Sequence, residues 1–196
     1  MDITAFWRDI IQVKDPVLLE EVVARSSTRN AKKREIIIRE HERLTQVPFL
    51  MSGVVRSYCL SADGREKVFC FVYTPGEPVT SIYNLDAGIT SICTIEVVRD
   101  CSLLLVPLEV LDNMVQSNLD AAHIYEKMLS NSLQRIIERD LVLASYTVCA
   151  RYEWFKKTYP GLCGLVSKKD IASFLNMSSE SLSRILRVFP DDESST

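Results

Sequence analysis

Residues 167–187 read SKKDIASFLNMSSESLSRILR, and this stretch is the most informative part of the chain. Ser167 is a favourable helix N-cap, and Asp170 stands three residues later at the position of a capping box. Asn176 tolerates the left-handed backbone conformation of a tight turn, so it can follow the end of this first helix. The spacing therefore predicts two short helices joined by a turn of three or four residues, a helix-turn-helix.

The second of these helices is predicted to have two different faces. Ser178 or Ser179 can cap its N-terminus. Apolar residues recur at helical spacing on one face, namely Leu182, Ile185, Leu186 and Phe189. Polar and cationic residues follow the same spacing on another face, namely Glu180, Ser183, Arg184 and Arg187. Such a face suits base edges and phosphates in a DNA major groove, whereas the alternative is an amphipathic helix that only meets water.

Positive charge is concentrated in the same region. Residues 149–189 contain seven basic and three acidic residues, a net charge of +4, although the whole chain has a formal net charge of −3. Binding of nucleic acid through a local basic module is therefore favoured over indiscriminate binding by the whole surface.

Upstream, residues 36–107 have the texture of short strands separated by turns. Residues 62–65, Ala-Asp-Gly-Arg, predict a tight turn before an apolar run at 67–73, and Pro-Gly-Glu-Pro at 75–78 ends that run. Further strands are predicted at 89–98 and 102–106. Several short strands at this spacing favour a small barrel or β-roll, with one or two helices from residues 3–24 packed on it.

A long helix is predicted between these two regions. Residues 108–148 contain neither Gly nor Pro, and apolar side chains recur at steps of three and four: Leu129, Leu133, Ile136, Ile137, Leu141, Ala144 and Val148. A single helix over 118–145 would be about 42 Å long. One interpretation is that the apolar face of this helix is buried within a single chain. The breadth of the apolar face favours a second interpretation, in which this helix pairs in parallel with the same helix of a second copy, although Asp140 interrupts a strict heptad.

Other classes of protein fit the sequence less well. The six cysteines contain no C-x-x-C pair and lie among apolar residues, which favours small hydrophobic roles over metal or redox chemistry. A metal-dependent cupin enzyme would need two or three histidines with a carboxylate on neighbouring strands, whereas His41 and His123 are far apart. No apolar run approaches the roughly 20 residues of a membrane span, and the N-terminus lacks the features of a secretory signal. We therefore expect a cytoplasmic protein that is not an enzyme, has no catalytic residues and no metal, and does not contact a membrane.

The motifs also resemble those of a known family. Residues 171–175 and 179–184 look like the helix-turn-helix of the bacterial cyclic-AMP receptor protein and fumarate–nitrate regulator (Crp/Fnr) family, and residues 151–160 resemble its linking helix. Residues 51–56, 63–66 and 71–77 resemble recurring segments of its β-roll sensor domain. The resemblance implies an α+β fold in three parts: a cyclic-nucleotide-binding-like β-roll (double-stranded β-helix) with N-terminal helices at 1–115, a dimerisation helix at 116–148, and a winged-helix-like DNA-binding domain at 149–196. Because residues 190–196 are few and acidic, the wing is expected to be missing or truncated.

The resemblance also implies roles for single residues. Glu180, Ser183 and Arg184 match the family's E-x-x-S-R pattern, whose members contact bases. Contacts to the DNA backbone are expected from Lys168, Lys169, Ser178, Ser179 and Arg187. The chain is then expected to regulate transcription as a homodimer, held through 118–146, that reads an inverted repeat in promoter DNA, with RNA polymerase as a possible further partner.

The sensor region departs from the family pattern. Members that bind cyclic AMP carry Gly-Glu followed by Arg-Ser/Thr-Ala, whereas residues 79–83 and 90–94 here read VTSIY and TSICT. Without that Arg, a buried phosphate would have no charge-assisted partner. No cysteine precedes Cys59, which argues against the family's N-terminal iron–sulfur cluster. We expect no cyclic-AMP dependence, predict no cofactor, and leave the effector unknown; its pocket is placed between the β-roll and the long helix, near Ser81, Tyr83, Ser91, Cys93 and Tyr125.

One alternative function remains open on the sequence alone. The chain could be a ligand-sensing or protein-interaction module that shares the fold but does not bind DNA specifically. Such a module would present an apolar second-helix surface, whereas this chain places Glu180, Ser183, Arg184 and Arg187 there.

Overall fold

The computed structural model describes residues 2–80, 85 and 88–188. The chain forms two compact units, one made of residues 1–59 and 70–133, the other of residues 60–69 and 134–196. The division into three domains at 1–115, 116–148 and 149–196 stays a prediction. Within the described residues, no helix is both long enough and apolar enough to span a membrane.

The first unit begins with the helices that the sequence predicts for residues 3–24. Helix α1 covers Ile3–Ala5 and continues into a π-helical segment, Phe6–Ile11, and helix α2 covers Pro16–Arg25. The Asp15 carboxylate caps α2 by accepting hydrogen bonds from the backbone N–H groups of Val17 and Leu18. These segments are helical because their ends are capped and their apolar residues face one side.

The strands form one sheet in the order β1-β5-β3-β4, with β2 also paired to β5. Their bounds are β1 Ser27–Ala31, β2 Ile36–Ile38, β3 Gln46–Leu60, β4 Glu66–Val72 and β5 Thr94–Pro107. Strands β1, β2 and β3 all pair with β5 in antiparallel orientation. The predicted apolar run at 67–73 corresponds to β4.

Two strand predictions were wrong. The strands expected at 89–98 and 102–106 are instead the single strand β5, which continues through Arg99 and Asp100 because Arg99 pairs with Val54 of β3. Strand β1 was not predicted at all. Four of its five residues are exposed, and only Ala31 is buried, so its sequence lacks the alternation that marks a half-buried strand.

Helices α3, Leu108–Ser117, and α4, Leu119–Ser145, follow β5 directly. The long helix thus begins one residue later than predicted. The side chain of Asn118 caps it, accepting hydrogen bonds from the N–H groups of Asp120 at 2.9 Å and Ala121 at 3.1 Å. The core of this unit joins the N-terminal helices, the sheet and α3, and it includes Phe6, Trp7, Phe49, Leu104 and Met114.

The second unit contains the end of α4, helices α5 to α7 and the turn that connects β3 to β4. Helix α5 covers Val148–Thr158, α6 covers Lys168–Phe174 and α7 covers Ser179–Val188. Its core is built around an aromatic cluster of Trp154, Phe155, Tyr159 and Phe174, whose ring centroids lie between 5.3 and 6.4 Å apart. The predicted turn at 62–65 is confirmed, with Gly64 at a φ of +75°.

Candidate nucleic-acid interface

Helix α6 is capped as the sequence predicts. The Ser167 hydroxyl accepts a hydrogen bond from the N–H of Asp170 at 3.1 Å and donates one to the Asp170 carboxylate at 2.6 Å. Ile171, Ala172 and Leu175 are buried, which confirms the inward face. These contacts fix where the helix begins and which side faces the core.

A short turn, residues 175–178, joins α6 to α7. Asn176 has a φ of +49°, which confirms the left-handed residue expected there. The turn is closed by two backbone hydrogen bonds, from Asn176 N–H to the Ser173 carbonyl oxygen at 3.1 Å and from Met177 N–H to the Ala172 carbonyl oxygen at 2.9 Å. The second helix therefore leaves the turn in a defined direction.

Helix α7 buries one side and exposes the other. Leu182 and Ile185 are buried in the unit core, and the Ser178 hydroxyl accepts a hydrogen bond from the Ser181 N–H at 3.1 Å at the start of the helix. Phe189, the last member of the predicted apolar stripe, lies outside the described residues. The three residues predicted to contact bases, Glu180, Ser183 and Arg184, are all exposed; we call them the base-reading face.

The residues predicted to contact the DNA backbone are exposed as well: Lys168, Lys169, Ser178, Ser179 and Arg187. Lys168 and Lys169 lie in the first turn of α6, and the others lie in the turn or on α7. Hydrogen bonds from its own backbone N–H and from Ser178, together with the charge of Arg184, lower the pKa of Glu180. Its carboxylate is therefore ionised at neutral pH and can accept hydrogen bonds.

One arginine that the sequence did not single out holds this helix pair in place. The Arg151 guanidinium, on α5, donates to the carbonyl oxygens of Leu175 at 3.3 Å and Leu143 at 2.8 Å, and its Nε donates to that of Tyr146 at 3.1 Å. It therefore satisfies carbonyl groups at the end of α4 and at the end of α6, which have no partner within their own helices. From the sequence alone, Arg151 is recognisable only as part of the local positive charge.

Strand β4 is a second support that sequence reasoning missed. The Ser173 hydroxyl, on α6, accepts a hydrogen bond from the Val68 N–H at 3.0 Å and donates one to the Glu66 carbonyl oxygen at 3.1 Å. These partners are separated from Ser173 by more than a hundred residues, so no local pattern could have indicated them.

The described residues of the predicted effector pocket do not line one cavity. Ser81 and Tyr83 lie outside the described residues. Ser91 and Cys93 are buried and bond to each other, with the Ser91 hydroxyl donating to the Cys93 carbonyl oxygen at 2.7 Å. Tyr125 lies on α4 and lines an apolar cavity of the first unit whose described lining residues do not include Ser91 or Cys93.

The cysteines are only partly the buried residues that we expected. Cys93 and Cys101 are buried, whereas Cys59, Cys70, Cys149 and Cys163 are half-buried, and none of the six forms a disulfide. Burial raises the pKa of the Cys101 thiol to about 11. Over the described part of the chain, no group of three or more His, Cys, Asp or Glu side chains is placed to hold a metal ion.

Comparison with known proteins shows which proteins this chain resembles. The cyclic nucleotide-binding domain family model matches residues 28–118. FixK2 from Bradyrhizobium japonicum superimposes with a TM-score of 0.73 at 25% identity over 83% of both chains. A putative transcriptional regulator of the crp/fnr family from Eubacterium rectale superimposes with a TM-score of 0.71 at 19% identity, over 89% of this chain and 83% of that one.

The chain is similar to regulators of the Crp/Fnr family over most of its length. Among curated proteins, the regulatory protein HlyX of Actinobacillus pleuropneumoniae is 20% identical over 182 residues, which is 87% of this chain and 74% of HlyX. The predicted family resemblance is thereby confirmed. The match to a cyclic nucleotide-binding domain describes the fold of residues 28–118.

Proposed function

We propose that this protein is a cytoplasmic, non-enzymatic transcription regulator of the Crp/Fnr type that binds double-stranded DNA through a helix-turn-helix formed by α6 and α7. The observation that carries the proposal is the exposure of Glu180, Ser183 and Arg184 on a helix whose opposite side is buried through Leu182 and Ile185. Arg can form two hydrogen bonds with guanine, and Glu can accept one from a cytosine amino group. The helix pair is fixed by capping and by Arg151, as a base-reading element must be.

The lysines and hydroxyl groups around the base-reading face are proposed to contact phosphates. Lys168, Lys169 and Arg187 are exposed cations, and such contacts position a protein on DNA without specifying the sequence. Lys169→Ala should therefore weaken binding to all sequences alike and should reduce the slope of log K against log salt by about 1. Arg184→Ala should instead relax the preference for particular bases.

We also propose that α4 pairs with its counterpart in a second copy, through 118–146. Leu133, Ile137 and Leu141 are 58%, 50% and 60% exposed. With Ala144, they form an apolar stripe of about 16 Å along the helix, given a rise of 1.5 Å per residue. A stripe of this kind, left in water by one chain, is suited to a helix pair.

The dimer proposal has a simple test with a matched control. Ile137→Glu places a charge in the stripe and should convert the dimer to a monomer in sedimentation experiments, because the buried carboxylate would have no partner. Asn131→Glu adds the same charge at an exposed position off the stripe and should leave the dimer intact. A wild-type monomer at micromolar concentration would contradict the proposal.

Regulation is proposed not to depend on cyclic AMP. The support is chemical: residues 79–83 and 90–94 lack both the acid that would hold the ribose and the arginine that would pair with the cyclic phosphate. Calorimetric titration with cyclic AMP should show no saturable heat, and binding in the micromolar range would overturn this part of the proposal.

The experiment that tests the DNA-binding proposal is selection from a random pool of double-stranded DNA by the full chain. A dimer should enrich an inverted repeat whose half-sites lie about one helical turn apart. Arg25→Ala, which removes an exposed arginine on α2, should enrich the same repeat. Failure of the wild-type dimer to enrich any sequence at low salt would favour the alternative of an interaction module that does not bind DNA specifically.

A further inference from the structure

The first unit contains a cavity with an almost wholly apolar wall. Its volume is about 90 Å³, and it lies between the N-terminal helices, the sheet, α3 and the first turns of α4. The wall is formed by aliphatic, aromatic and thioether side chains, among them Trp7, Phe49, Leu111, Met114, Ile124 and Met128. An apolar space of this order in a protein core is uncommon, since interiors are packed about as densely as organic crystals.

Polar groups contribute little to this wall. Apart from thioethers, the described lining residues with a polar side-chain group are Trp7, Thr80 and Tyr125, and the indole N–H of Trp7 donates to the Ser26 hydroxyl at 2.9 Å. None of the described lining residues is charged. A charged ligand would therefore be desolvated here without an opposite charge, which is costly, whereas an uncharged apolar ligand would not.

The cavity is also of a size that a small molecule can use. An engineered apolar cavity of about 150 Å³ in another protein stays dry and binds benzene or xenon. The present cavity is somewhat smaller, but Met114 and Met128 line it, and unbranched methionine side chains adapt readily to what they contact. A bound molecule would recover dispersion contacts that the wall atoms lack while the space is empty.

We propose that this cavity is a binding site for a small, uncharged, apolar molecule of about the size of one aromatic ring. The site differs from the polar effector position expected from the sequence and shares only Tyr125 with the described part of it. Its occupant would contact both α3 and the beginning of α4, through Leu111 on the first and Ala121 on the second. The proposal does not rest on DNA binding, and either can fail without the other.

The test uses the methyl groups of the cavity wall. The full chain, labelled with 13C-methyl methionine, is titrated with toluene and indole as probes, and with benzoate and cyclic AMP as charged comparisons. Toluene or indole should shift the Met114 and Met128 signals in a saturable way and leave Met177, in the second unit, unchanged. Benzoate and cyclic AMP should not shift the Met114 and Met128 signals, because the described part of the wall offers no cation.

A matched pair of variants tests whether toluene binds in this cavity. Ala121→Leu adds three carbon atoms to a lining residue and should weaken toluene binding at least tenfold, while Ala122→Leu makes the same change beside it, at a residue that does not line the cavity. Circular dichroism checks that both variants fold. If Ala121→Leu does not fold, the comparison of toluene with benzoate on the wild-type chain still tests whether the cavity binds an uncharged apolar molecule.

Three results would overturn the proposal. The first is the absence of saturable shifts with both toluene and indole on the folded wild-type chain. The second is benzoate binding as strongly as toluene. The third is an equal loss of toluene binding in the two folded variants.

Discussion

The guanidinium group of Arg139, on α4, donates hydrogen bonds to the main-chain carbonyl oxygen of Phe174, the last residue of α6, at 2.9 and 3.2 Å. The same group lies 4.8 Å from the centroid of the Phe174 ring and also donates to the Val68 carbonyl oxygen at 3.5 Å. The Arg139 side chain is only 17% exposed, so water competes little for these contacts. One arginine thus joins α4, the end of α6 and strand β4 within the second unit.

Replacement of Arg139 by Met should destabilise this unit. The variant keeps an unbranched side chain but leaves the Phe174 and Val68 carbonyl oxygens without this donor, and hydrogen bonds to charged groups contribute about 1.5–3 kcal/mol each. We expect the free energy of unfolding of the second unit to fall by about 2 kcal/mol. Arg139→Lys should recover only part of this, because an ammonium group lacks the fork that reaches several acceptors.

The two tryptophans allow this loss to be measured unit by unit. Trp7 lies in the first unit and Trp154 in the aromatic cluster of the second. In 5-fluorotryptophan protein, 19F NMR during urea unfolding follows each separately. The Trp154 midpoint should move to lower urea in Arg139→Met with little change at Trp7. Equal movement of both signals, or of neither, would contradict the assigned role.

Arg151→Ala should weaken DNA binding without changing which bases are preferred. Arg151 touches the end of α6 and the end of α4 through carbonyl oxygens, so it positions the helix pair and is not part of the base-reading face. We expect a loss of about tenfold in affinity, equivalent to about 1.4 kcal/mol. Anisotropy titrations on the selected repeat and on single-base variants measure both quantities.

Lys157→Ala is the control for Arg151, since it removes an exposed positive charge from the same helix. It should have a much smaller effect on affinity. A change in the selected bases on Arg151→Ala would show that Arg151 reads DNA itself and would overturn the positioning role.

Gly53 is required by the close approach of β3 and β5. Its φ is +103°, and a Cβ added there would lie 2.5 Å from the Asp100 carbonyl oxygen and from the Cys101 Cβ. Gly53→Ala should lower the free energy of unfolding of the first unit by roughly 3 kcal/mol, through backbone strain and forced displacement of β5.

Gly64→Ala separates the two causes, because Gly64 has a φ of +75° but no atom within 4 Å of an added Cβ. It should cost only the backbone strain, about 1 kcal/mol. Thermal unfolding monitored by circular dichroism compares the two variants, and a Gly53→Ala protein as stable as Gly64→Ala would rule out the proposed clash.

The stability that the Asp63 carboxylate gives to the turn between β3 and β4 should depend on pH. A hydrogen bond from the Ser61 hydroxyl, the larger cause, and one from the Arg65 guanidinium lower the pKa of Asp63 to about 2 from its ordinary value of 3.8. Because the folded-state pKa is depressed, the contribution of this carboxylate is fully present above pH 3.8 and is lost as the pH falls toward 2. NMR titration of the carboxyl carbon should show the low pKa.

Ser61→Ala removes the first of these donors and should move the pKa of Asp63 upward. Ser117→Ala, a serine replacement far from this turn in sequence, should leave it unchanged. An Asp63 that titrates near 3.8 in the wild-type chain would contradict the hydrogen-bonded turn.

The parts of this protein that the sequence predicts are those specified by neighbouring residues. Ser167, Asp170 and Asn176 define the ends of α6 through local capping and turn chemistry, and the structure has each in its predicted role. The apolar period of α4 likewise requires no distant partner to be recognised.

The features that sequence reasoning missed depend on distant partners. Strand β5 continues through Arg99, which pairs with Val54 of β3, and the Asp100 carboxylate beside it accepts hydrogen bonds from the Lys33 N–H and the Lys32 ammonium group at 2.8 and 2.9 Å. Arg139 bonds to carbonyl oxygens 35 and 71 residues away. Main-chain acceptors carry no signature in the sequence, so an arginine that binds them looks like any other helical arginine.

The central claim, that α7 reads bases through Arg184, is tested most directly by one ratio. The dissociation constant for the selected repeat is measured against that for a scrambled duplex at one fixed salt concentration, for the wild type and Arg184→Ala. The account predicts a wild-type preference of at least a thousandfold that falls by about tenfold or more in Arg184→Ala, since a bidentate base contact supplies about 1–3 kcal/mol of discrimination. A preference left unchanged by Arg184→Ala, in a folded dimer, would contradict it.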